Sequence, residues 1–467
     1  MAYKRVMYAT ESLSRDELIE LVLKLESRLE ELEAENAKLR ALVEKTPPLA
    51  PPSFVKPNRR KEPGPSKERK PRDGSFVRRR DEPTEIREHA VGTCPDCGRG
   101  LSDGWLHRRR QVIELPEAPI RIIEHRVMGR WCGVCGKRRL PQVDLSSEVV
   151  GKSRIGHGLM SLIGYLHTFS RMPLNQIQGF LEALYGLHLG MGTLAGVLRR
   201  LASHGEERAD AILAEIRASG VVHADETGWR EDGKNGHLWS FSTPERRYCR
   251  IAESRGSAVA KEILGEDFAG VVVSDFYSGY SPLLCRHQRC WVHLLRDLRD
   301  LREAHPEEKG IARWVKRIRA LYDQAIAYRD AQLALDLDEA GEDAKLFSRV
   351  ARRRAKAREK FESALMRLAS PYLGQKDDPC RVLAERMSKF LSELFVFVER
   401  PEVPSENNAA ERAIRPAVIA RKVSGGTRSA AGSKTKSILL TLFGTWALSA
   451  PNPFAACHAM LASSQPP

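Results

Sequence analysis

Two short runs rich in valine, each ending in an aspartate, constrain the fold of this chain most strongly. Asp225 ends the run VVHAD, and Asp275 ends the run GVVVSD. Such runs predict buried strands, so each aspartate is expected at the end of a strand. A third acidic residue, Glu411, lies in ENNAAERAIRP, a segment with helical character. Two strand-end aspartates and one helix-borne glutamate can converge on a pair of divalent metal ions, an arrangement suited to in-line attack at phosphorus.

The segments around these acidic residues predict an α/β domain. Four strands are predicted in VVHAD, HLWSFSTP, RRYCRIAES and GVVVSD, and a helix-like segment follows in SGYSPLLC. QRCWVHLLRDLRDL then predicts a fifth strand leading into a helix. This order matches the ribonuclease H-like fold, in which the first and fourth strands are neighbours, so the two aspartates would lie side by side. Residues 221–299 would form the first part of a catalytic core, 300–400 a helical insertion, and 401–467 the closing helix and C-terminal region.

The excess of basic over acidic residues indicates a polyanionic partner. The chain of 467 residues has 76 Lys and Arg against 61 Asp and Glu, a net charge of +15. This balance favours DNA or RNA, although a basic protein that merely stays soluble is an alternative. The N-terminus has no apolar core of signal-peptide length, and the apolar stretch 437–450 is too short to span a bilayer. We therefore expect a cytoplasmic, nucleoid-associated protein without a membrane partner.

A heptad pattern in residues 1–45 predicts a coiled-coil dimerisation helix. Ser14 and Glu17 form a capping box at its start. The two apolar positions of the heptads are filled by Leu18, Leu25, Leu32 and Leu39 and by Val22, Leu29, Asn36 and Val43. A lone asparagine at such a position favours two parallel strands, so Asn36 predicts a homodimer. A helix packed against its own chain is the alternative.

Residues 46–90 form a basic, proline-rich linker. Eleven Lys or Arg residues stand against three Asp or Glu residues between Lys56 and Arg80. Such a segment cannot bury a core, and it predicts an extended tether that contacts DNA phosphates, with a solvated spacer as the alternative. The residues expected to contact phosphates are Arg59, Arg60, Lys61, Lys67, Arg69, Lys70, Arg78, Arg79 and Arg80.

Four cysteines in two CxxCG motifs predict a zinc ribbon in residues 91–150. The motifs contain Cys94 with Cys97 and Cys132 with Cys135. Four thiolates would form a closed structural Zn²⁺ site without an open coordination position, which argues against a catalytic zinc. Alternation in QVIELPEAPIRIIEHRV predicts that strands fill the gap between the motifs. Unrelated buried cysteines are the alternative.

Residues 151–220 have a helical pattern with a short turn. PLNQIQGFLEALYG, LHLG and MGTLAGVLRRLASH give helix, turn and helix. This spacing is compatible with a helix-turn-helix whose second helix enters a major groove, and many packed helix pairs share it.

The motifs resemble those of a known family over nearly the whole chain. HADETGW, SDFYSGY, RCWVHLLRDL and ENNAAERAIRP occur in the order found in transposases of the insertion-sequence-66 family, within the DDE superfamily. The resemblance implies that Asp225, Asp275 and Glu411 hold two Mg²⁺ or Mn²⁺ ions. It also implies nicking at the ends of a DNA element and joining of 3′ hydroxyls to target DNA, with accessory proteins of the same element as possible partners. VSGGTRSAAGSK departs from the family pattern after Arg421 and Lys422.

Further residues are expected to support the active site. Asn407 and Asn408 precede Glu411 on one helical face, and Arg412 and Arg415 follow it. Cys290 and His293 resemble a zinc half-site without a partner pair, which favours packing or orientation of the site.

Two other carboxylates and the tryptophans carry weaker predictions. Glu226 is expected on the opposite strand face from Asp225. Glu406 is an alternative to Glu411 as the third metal-binding carboxylate. Trp229, Trp239 and Trp291 are expected in the core, with stacking on an unpaired base as the alternative.

The sequence predicts a multidomain α+β protein with a coiled coil, a zinc ribbon, a helical DNA-binding region and a ribonuclease H-like catalytic domain carrying a helical insertion. The favoured function is a transposase that acts on double-stranded DNA, at element ends and at a target. A DNA-binding regulator, a decayed transposase and a structure-specific nuclease remain alternatives. Metal-dependent cleavage separates the regulator from the enzymes, and strand joining separates the transposase from the nuclease.

Overall fold

A computed structural model describes most of the chain, in two units divided at residue 114. The described residues are 26–36, 86–100, 120–132, 134–135, 137–338 and 344–463, with isolated positions at 14, 16, 19, 23, 24, 82, 83 and 106. The predicted phosphate-contacting residues of the linker, and Leu18, Val22, Leu25, Leu39 and Val43 of the heptads, lie outside these ranges.

The first unit contains part of the predicted coiled-coil helix and the first cysteine motif. Residues 26–36 are helical, and Leu29, Leu32 and Asn36 are exposed on that helix. At the cysteine motif, Gly98 N donates to Cys94 O at 2.9 Å. Gly98 has φ of 68°, which glycine adopts without steric cost and which lets the chain turn back after Cys97.

The second unit begins with a small hairpin at the second cysteine motif. Strands β1 (Arg130–Cys132) and β2 (Lys137–Arg139) pair antiparallel. Strands were also predicted across 111–127, but the described residues 120–129 form none. Ile122 and Val127 are exposed there, so the alternating residues lack the buried surface that a strand face needs.

A group of helices follows the hairpin. It comprises α1 (His157–Gly164) with a π-helical extension (Tyr165–Phe169), α2 (Leu174–Tyr185), α3 (Met191–His204) and α4 (Glu206–Arg217). The predicted helix–turn–helix segments correspond to α2 and α3. Helix α3 buries Leu194, Val197 and Leu201. Groove recognition by this helix stays a prediction.

A five-stranded mixed sheet forms the centre of the second unit. Its strands are β3 (Val221–Glu231), β4 (Lys234–Ser242), β5 (Arg247–Ala252), β6 (Val271–Ser274) and β7 (Arg286–Arg289), with α5 (Ser257–Leu264) between β5 and β6. The order across the sheet is β5-β4-β3-β6-β7. β3, β4 and β5 pair antiparallel, whereas β6 pairs parallel with both β3 and β7. All five strands overlap the segments where the sequence predicted them, although β7 begins two residues before its predicted segment and β3 is longer than predicted.

Two predictions within the sheet were wrong. Asp225 does not end its strand, because β3 continues to Glu231 through antiparallel pairing with β4 after its pairing with β6 has stopped at His223. SGYSPLLC contains only a short 3₁₀ turn, Ser278–Tyr280, in place of a helix. The chain there is fixed by hydrogen bonds from a buried arginine, described below.

The predicted insertion is helical and has its own core. Helix α6 (Trp291–Ala304), which follows β7, leads into it. The elements of the insertion are α7 (Lys309–Asp338), α8 (Ala344–Ala369), a 3₁₀ turn (Ser370–Tyr372), α9 (Arg381–Lys389), α10 (Leu391–Leu394) and α11 (Val396–Glu399). This core contains Trp314, Phe395 and Phe397, together with Trp291 and Leu298 of α6. It is a separate cluster from the one that packs against the sheet.

Three helices end the described chain: α12 (Asn408–Ser424), α13 (Ala430–Ser449) and α14 (Pro453–Ala462). Helix α13 covers the edge strand β5, where the hydroxyls of Ser437, Thr441 and Thr445 accept hydrogen bonds from its backbone amides at 2.9 to 3.0 Å. Paired in this way, β5 no longer presents a free edge along these residues. Within the described residues, no helix is long and apolar enough to cross a membrane.

The segment that departs from the family pattern docks on the end of β3. Thr427 N donates to Arg230 O at 2.9 Å, and Thr427 O accepts from Asp232 N at 2.8 Å. Gly426, with φ of 113°, lies so close that a Cβ there would clash with the Arg230 carbonyl. This segment therefore connects α12 to α13 through a contact that requires glycine.

We expect Gly426→Ala to lower the free energy of unfolding by about 2 kcal/mol or more, because it combines backbone strain with a clash. Gly192→Ala is the matched control, since Gly192 is helical and has open space around its Cβ position. Chemical denaturation of both variants measures the difference. Equal stability of the two variants would contradict the described docking of Thr427 on β3.

Candidate active site

Asp225 and Asp275 lie at matching positions on neighbouring parallel strands. The last β3–β6 pair joins His223 to Val273, so the same register continued by two residues places Asp225 opposite Asp275. Side chains alternate along a strand, which puts Asp225 on the same face of β3 as Trp229. That face is covered by α12, because Trp229 packs against Ile414 and Ala417.

Glu411 lies on α12, which is fastened to β3 at both ends. At its start, Asn407 Nδ2 donates to Ala224 O at 2.8 Å, and Asn407 Oδ1 lies 3.0 Å from His223 Nδ1. At its other end, Arg421 Nη1 contacts β3 through the Gly228 carbonyl. Glu411 precedes Ile414 by three residues and shares its helical face, which is the face packed on β3.

The charges of Asp275 and Glu411 act on the Asp225 carboxylate. The pKa of Asp225 is raised to about 7, first by burial, then by the negative charges of Glu226 and Asp275, and to a smaller extent by Glu411. Asp275 Oδ1 accepts a hydrogen bond from Tyr277 N at 2.9 Å. The structure therefore brings the three predicted site carboxylates within interaction range of one another.

The three carboxylates do not form a complete set of metal ligands by themselves. Within the described residues, no set of three or more His, Cys, Asp or Glu side chains is arranged to hold a metal ion. Glu411 Oε1 lies 3.5 Å from His293 Nε2. The donor set still fits a hard divalent cation, because carboxylate oxygens are the ligands that Mg²⁺ and Mn²⁺ prefer.

Cys290 and His293 lie beside this group, at the start of α6. The buried Cys290 thiol accepts a hydrogen bond from Asn407 N at 3.2 Å, and burial raises its pKa. The adjacent Trp291 N donates to Ser405 O at 2.9 Å. Cys290 thus helps to fix the segment that leads into α12, and His293 contacts Glu411.

The remaining predicted support residues lie on α12 with fewer contacts. Asn408 is the first residue of the helix, and Arg412 and Arg415 are exposed along it. Burial lowers the pKa of His223, and the charge of Arg412 contributes to that shift. Arg412 is therefore near the Asn407–His223 contact.

Glu226 and Glu406 have different surroundings from the three predicted site carboxylates. Glu226 Oε2 accepts from Tyr280 Oη at 2.6 Å, and its side chain is only 3% exposed. Glu406 acts on Tyr322, whose pKa is raised first by burial and in smaller part by that charge. Tyr322 belongs to the insertion helix α7, so Glu406 lies near the insertion. Trp229, Trp239 and Trp291 are all buried, as predicted for core residues.

Sequence reasoning missed the residue that holds the loop after β6. Arg289, fully buried, donates from Nη1 to Asp275 O at 2.9 Å and to Ser274 Oγ at 3.1 Å. Its Nε lies 2.5 Å from Glu393 Oε2, which neutralises the buried charge. In the sequence, the signal for this role was a single arginine at the end of a predicted strand, between Gln288 and Cys290.

Backbone hydrogen bonds act on the first cysteine of each motif. Hydrogen bonds from the backbone, chiefly from Asp96, lower the pKa of Cys94, and those from Cys135 lower the pKa of Cys132. A lowered pKa favours the thiolate, the form that binds zinc. The predicted four-sulfur site stays a prediction.

Comparison with known proteins identifies the family. The sequence profile described as "Transposase IS66 family" matches residues 152–435, well over half of the chain. The chain belongs to the IS66 transposase family. This match confirms the resemblance inferred from the motifs, and IS66 membership indicates a transposase. The matched region contains the sheet, the helical insertion and all three predicted carboxylates, whereas the predicted coiled coil, the linker and both cysteine motifs precede it.

Curated relatives of this IS66 member come from Sinorhizobium fredii (strain NBRC 101917 / NGR234). The uncharacterized protein y4hP is 23% identical over 384 residues, covering 76% of this chain and 67% of the relative. The uncharacterized protein y4qI is 27% identical over 305 residues, covering 58% of this chain and 53% of the relative. The chain thus spans between about half and two thirds of the length of these relatives.

The raised pKa of Asp225 gives a stability test in metal-free buffer. The native pKa of about 7 exceeds the ordinary 3.8, so the native state holds this proton more tightly than the unfolded state. The resulting stability is complete below the unfolded pKa of 3.8 and is lost progressively as the pH rises from there to the folded pKa of about 7. We expect Asp225→Asn to have a higher melting temperature than wild type at pH 8 with a chelator, and a smaller difference at pH 5.

Asp267→Asn is the matched control, because Asp267 is exposed and outside the site. Identical melting temperatures of wild type and Asp225→Asn at pH 8 would show that Asp225 is not crowded by the other carboxylates.

Proposed function

We propose that this chain is a DDE transposase with a ribonuclease H-like catalytic domain, which binds the ends of an insertion sequence and catalyses DNA cleavage and strand transfer. The observation that carries the proposal is the convergence of Asp225 and Asp275 from adjacent parallel strands with Glu411 from a helix docked on the same strand. IS66 membership and the strand order β5-β4-β3-β6-β7 support it.

Asp225, Asp275 and Glu411 would hold two Mg²⁺ or Mn²⁺ ions. When bound, such ions activate a water or a 3′ hydroxyl and stabilise the leaving oxygen in phosphoryl transfer. The raised pKa of Asp225 fits this role, since close carboxylates repel one another until a cation neutralises them.

The protein's own residues supply rigidity and orientation. Arg289 fixes the backbone at Asp275, and Asn407 fixes the start of α12 against β3. His293 contacts the Glu411 carboxylate and so directs one of its oxygens. A site held in this way loses little free energy to reorganisation when the DNA strand is bound.

Double-stranded DNA is the proposed partner, and α8 offers a surface for it. Arg349, Arg353, Lys356 and Lys360 are exposed at intervals of three or four residues, so they lie along one face of α8. Within the described residues, none of these four side chains is in an ion pair. Arg358 on another face differs, because it pairs with Glu362 and Glu399. We name the four exposed side chains the α8 basic stripe.

We expect glutamine substitutions at all four positions of the α8 basic stripe to weaken DNA binding. The slope of log affinity against log salt should fall by up to about 3.6, because each neutralised phosphate contributes about 0.9. The control carries glutamine at Lys309, Arg313, Lys316 and Arg317, four exposed basic residues of α7. Equal loss in both variants would assign the effect to net charge alone.

The N-terminal parts complete the proposal. The exposed Leu29 and Leu32 fit a helix that pairs with a second copy, giving a homodimer that brings two element ends together. Cys94, Cys97, Cys132 and Cys135 would hold a structural Zn²⁺. The basic linker, the zinc ribbon and α3 would contact DNA, with accessory proteins of the same element as possible partners.

Strand transfer tests the proposal. Full-length protein with Mg²⁺, a labelled duplex carrying an end of its own element and a target plasmid should yield cleaved and joined products. Glu411→Gln should lower both by at least about a thousandfold while DNA binding persists, because it removes a metal ligand but no phosphate contact. Wild-type rates in Glu411→Gln would remove that residue from the mechanism.

One observation favours a second candidate, a DNA-binding regulator or decayed transposase. The carboxylates of the described residues are not arranged as metal ligands. Tight binding of the element end without cleavage by the wild-type protein would make this second function the better account. Cleavage without joining would point to a structure-specific nuclease.

A further inference from the structure

Arg255 is held in a fixed position beside the candidate active site. It lies in the exposed segment between β5 and α5. Its Nε and Nη2 donate to Glu226 Oε1 at 3.1 and 2.6 Å. Glu226 is almost completely buried, so it anchors the guanidinium from below, while half of the Arg255 side chain stays exposed.

Tyr277 connects Arg255 to Asp275. The guanidinium carbon of Arg255 lies 3.9 Å from the centre of the Tyr277 ring, and Tyr277 Oη donates to Arg255 O at 2.6 Å. The backbone amide of the same tyrosine donates to Asp275 Oδ1 at 2.9 Å. One residue thus touches both the predicted catalytic carboxylate and the arginine, which places Arg255 at the rim of the site.

Part of the guanidinium remains available. Both hydrogen bonds to Glu226 use Nε and Nη2, and in the described part of the chain Nη1 of Arg255 has no partner. A guanidinium held by a buried carboxylate and a ring face has already lost most of its conformational freedom. Its free N–H groups are therefore preorganised donors for an anion.

We infer that Arg255 binds a phosphodiester of the DNA strand that enters the active site. This inference rests on the proposed function and adds a binding residue to it. The proposed cations would neutralise Asp225, Asp275 and Glu411, and the phosphodiesters that flank the reacting one need a separate fixed positive charge beside the site. Arg255 provides that charge, Glu226 and Tyr277 position it, and its planar fork matches phosphate oxygens in a way that a lysine does not.

The test variant must keep Glu226 satisfied. Arg255→Ala alone would leave a buried carboxylate without its cation, which destabilises folding. The variant that carries both Arg255→Gln and Glu226→Gln removes both charges, keeps side chains of similar shape, and leaves an amide oxygen for Tyr280 Oη. The control carries Arg250→Gln and Glu262→Gln, because these residues form an Arg–Glu pair at 2.8 Å between β5 and α5.

The experiment is single-turnover cleavage of element-end duplexes that each carry one uncharged methylphosphonate linkage near the cleavage site. In the wild type and in the Arg250/Glu262 control, a methylphosphonate at one of these positions should lower the cleavage rate roughly tenfold or more, because it removes a charge-assisted hydrogen bond. In the Arg255/Glu226 variant the unmodified duplex should already be slower by a similar factor. The same methylphosphonate should then have no further effect, because both changes remove one interaction.

An unchanged methylphosphonate profile in the Arg255/Glu226 variant would overturn the inference. This result differs from a failure of the proposed function, in which the wild-type protein would not cleave the unmodified duplex at all. A circular dichroism melt of both double variants shows whether they fold. If the Arg255/Glu226 variant does not fold, Arg255→Lys must give a slower rate on unmodified DNA and a reduced methylphosphonate effect, and wild-type values for both would also overturn the inference.

Discussion

The amide side chain of Asn407 holds the helix that bears Glu411 against the strand that bears Asp225. Its Nδ2 donates to the carbonyl of Ala224, the residue after the last β3–β6 pair, at the point where β6 ends. Its oxygen meets His223, and its backbone amide donates to the Cys290 sulfur. Three elements distant in sequence therefore meet at one buried residue. Because a buried amide left without partners is costly, these contacts specify one position for α12.

Side chains alternate between the two faces of β3, so its two adjacent carboxylates lie on opposite faces. Asp225 faces α12, whereas Glu226 points the other way, to Tyr280 and Arg255. A slip of one residue in the strand register would exchange these two carboxylates. The register is fixed by pairing with β4 over nine residues, from His223 to Glu231, so the long strand that the sequence did not predict is what keeps Asp225 in place.

Much of the fold and the three carboxylates could be predicted, because strand and helix periodicity and short motifs are local signals. The length of β3 could not, since its second half pairs only with β4 and alternates little in polarity. The sequence placed Asn407 on the same helical face as Glu411, but it did not predict that the Asn407 side chain hydrogen-bonds to β3. Arg289 and Arg255 were missed because their partners are distant in sequence, and a single arginine carries no pattern of its own.

The proposed function requires that Asp225, Asp275 and Glu411 form one divalent-cation site. Iron-directed backbone cleavage is a test that does not depend on DNA. Fe²⁺ bound in place of Mg²⁺ reduces added hydrogen peroxide to hydroxide and a hydroxyl radical that cuts the chain nearby, and ascorbate returns the Fe³⁺ to Fe²⁺. We expect cuts close to residues 225, 275 and 411 in the wild-type protein, suppressed by excess Mg²⁺ and absent in Asp225→Asn. Cleavage confined to other parts of the chain, or an identical pattern in Asp225→Asn, would show that these three carboxylates do not hold one cation.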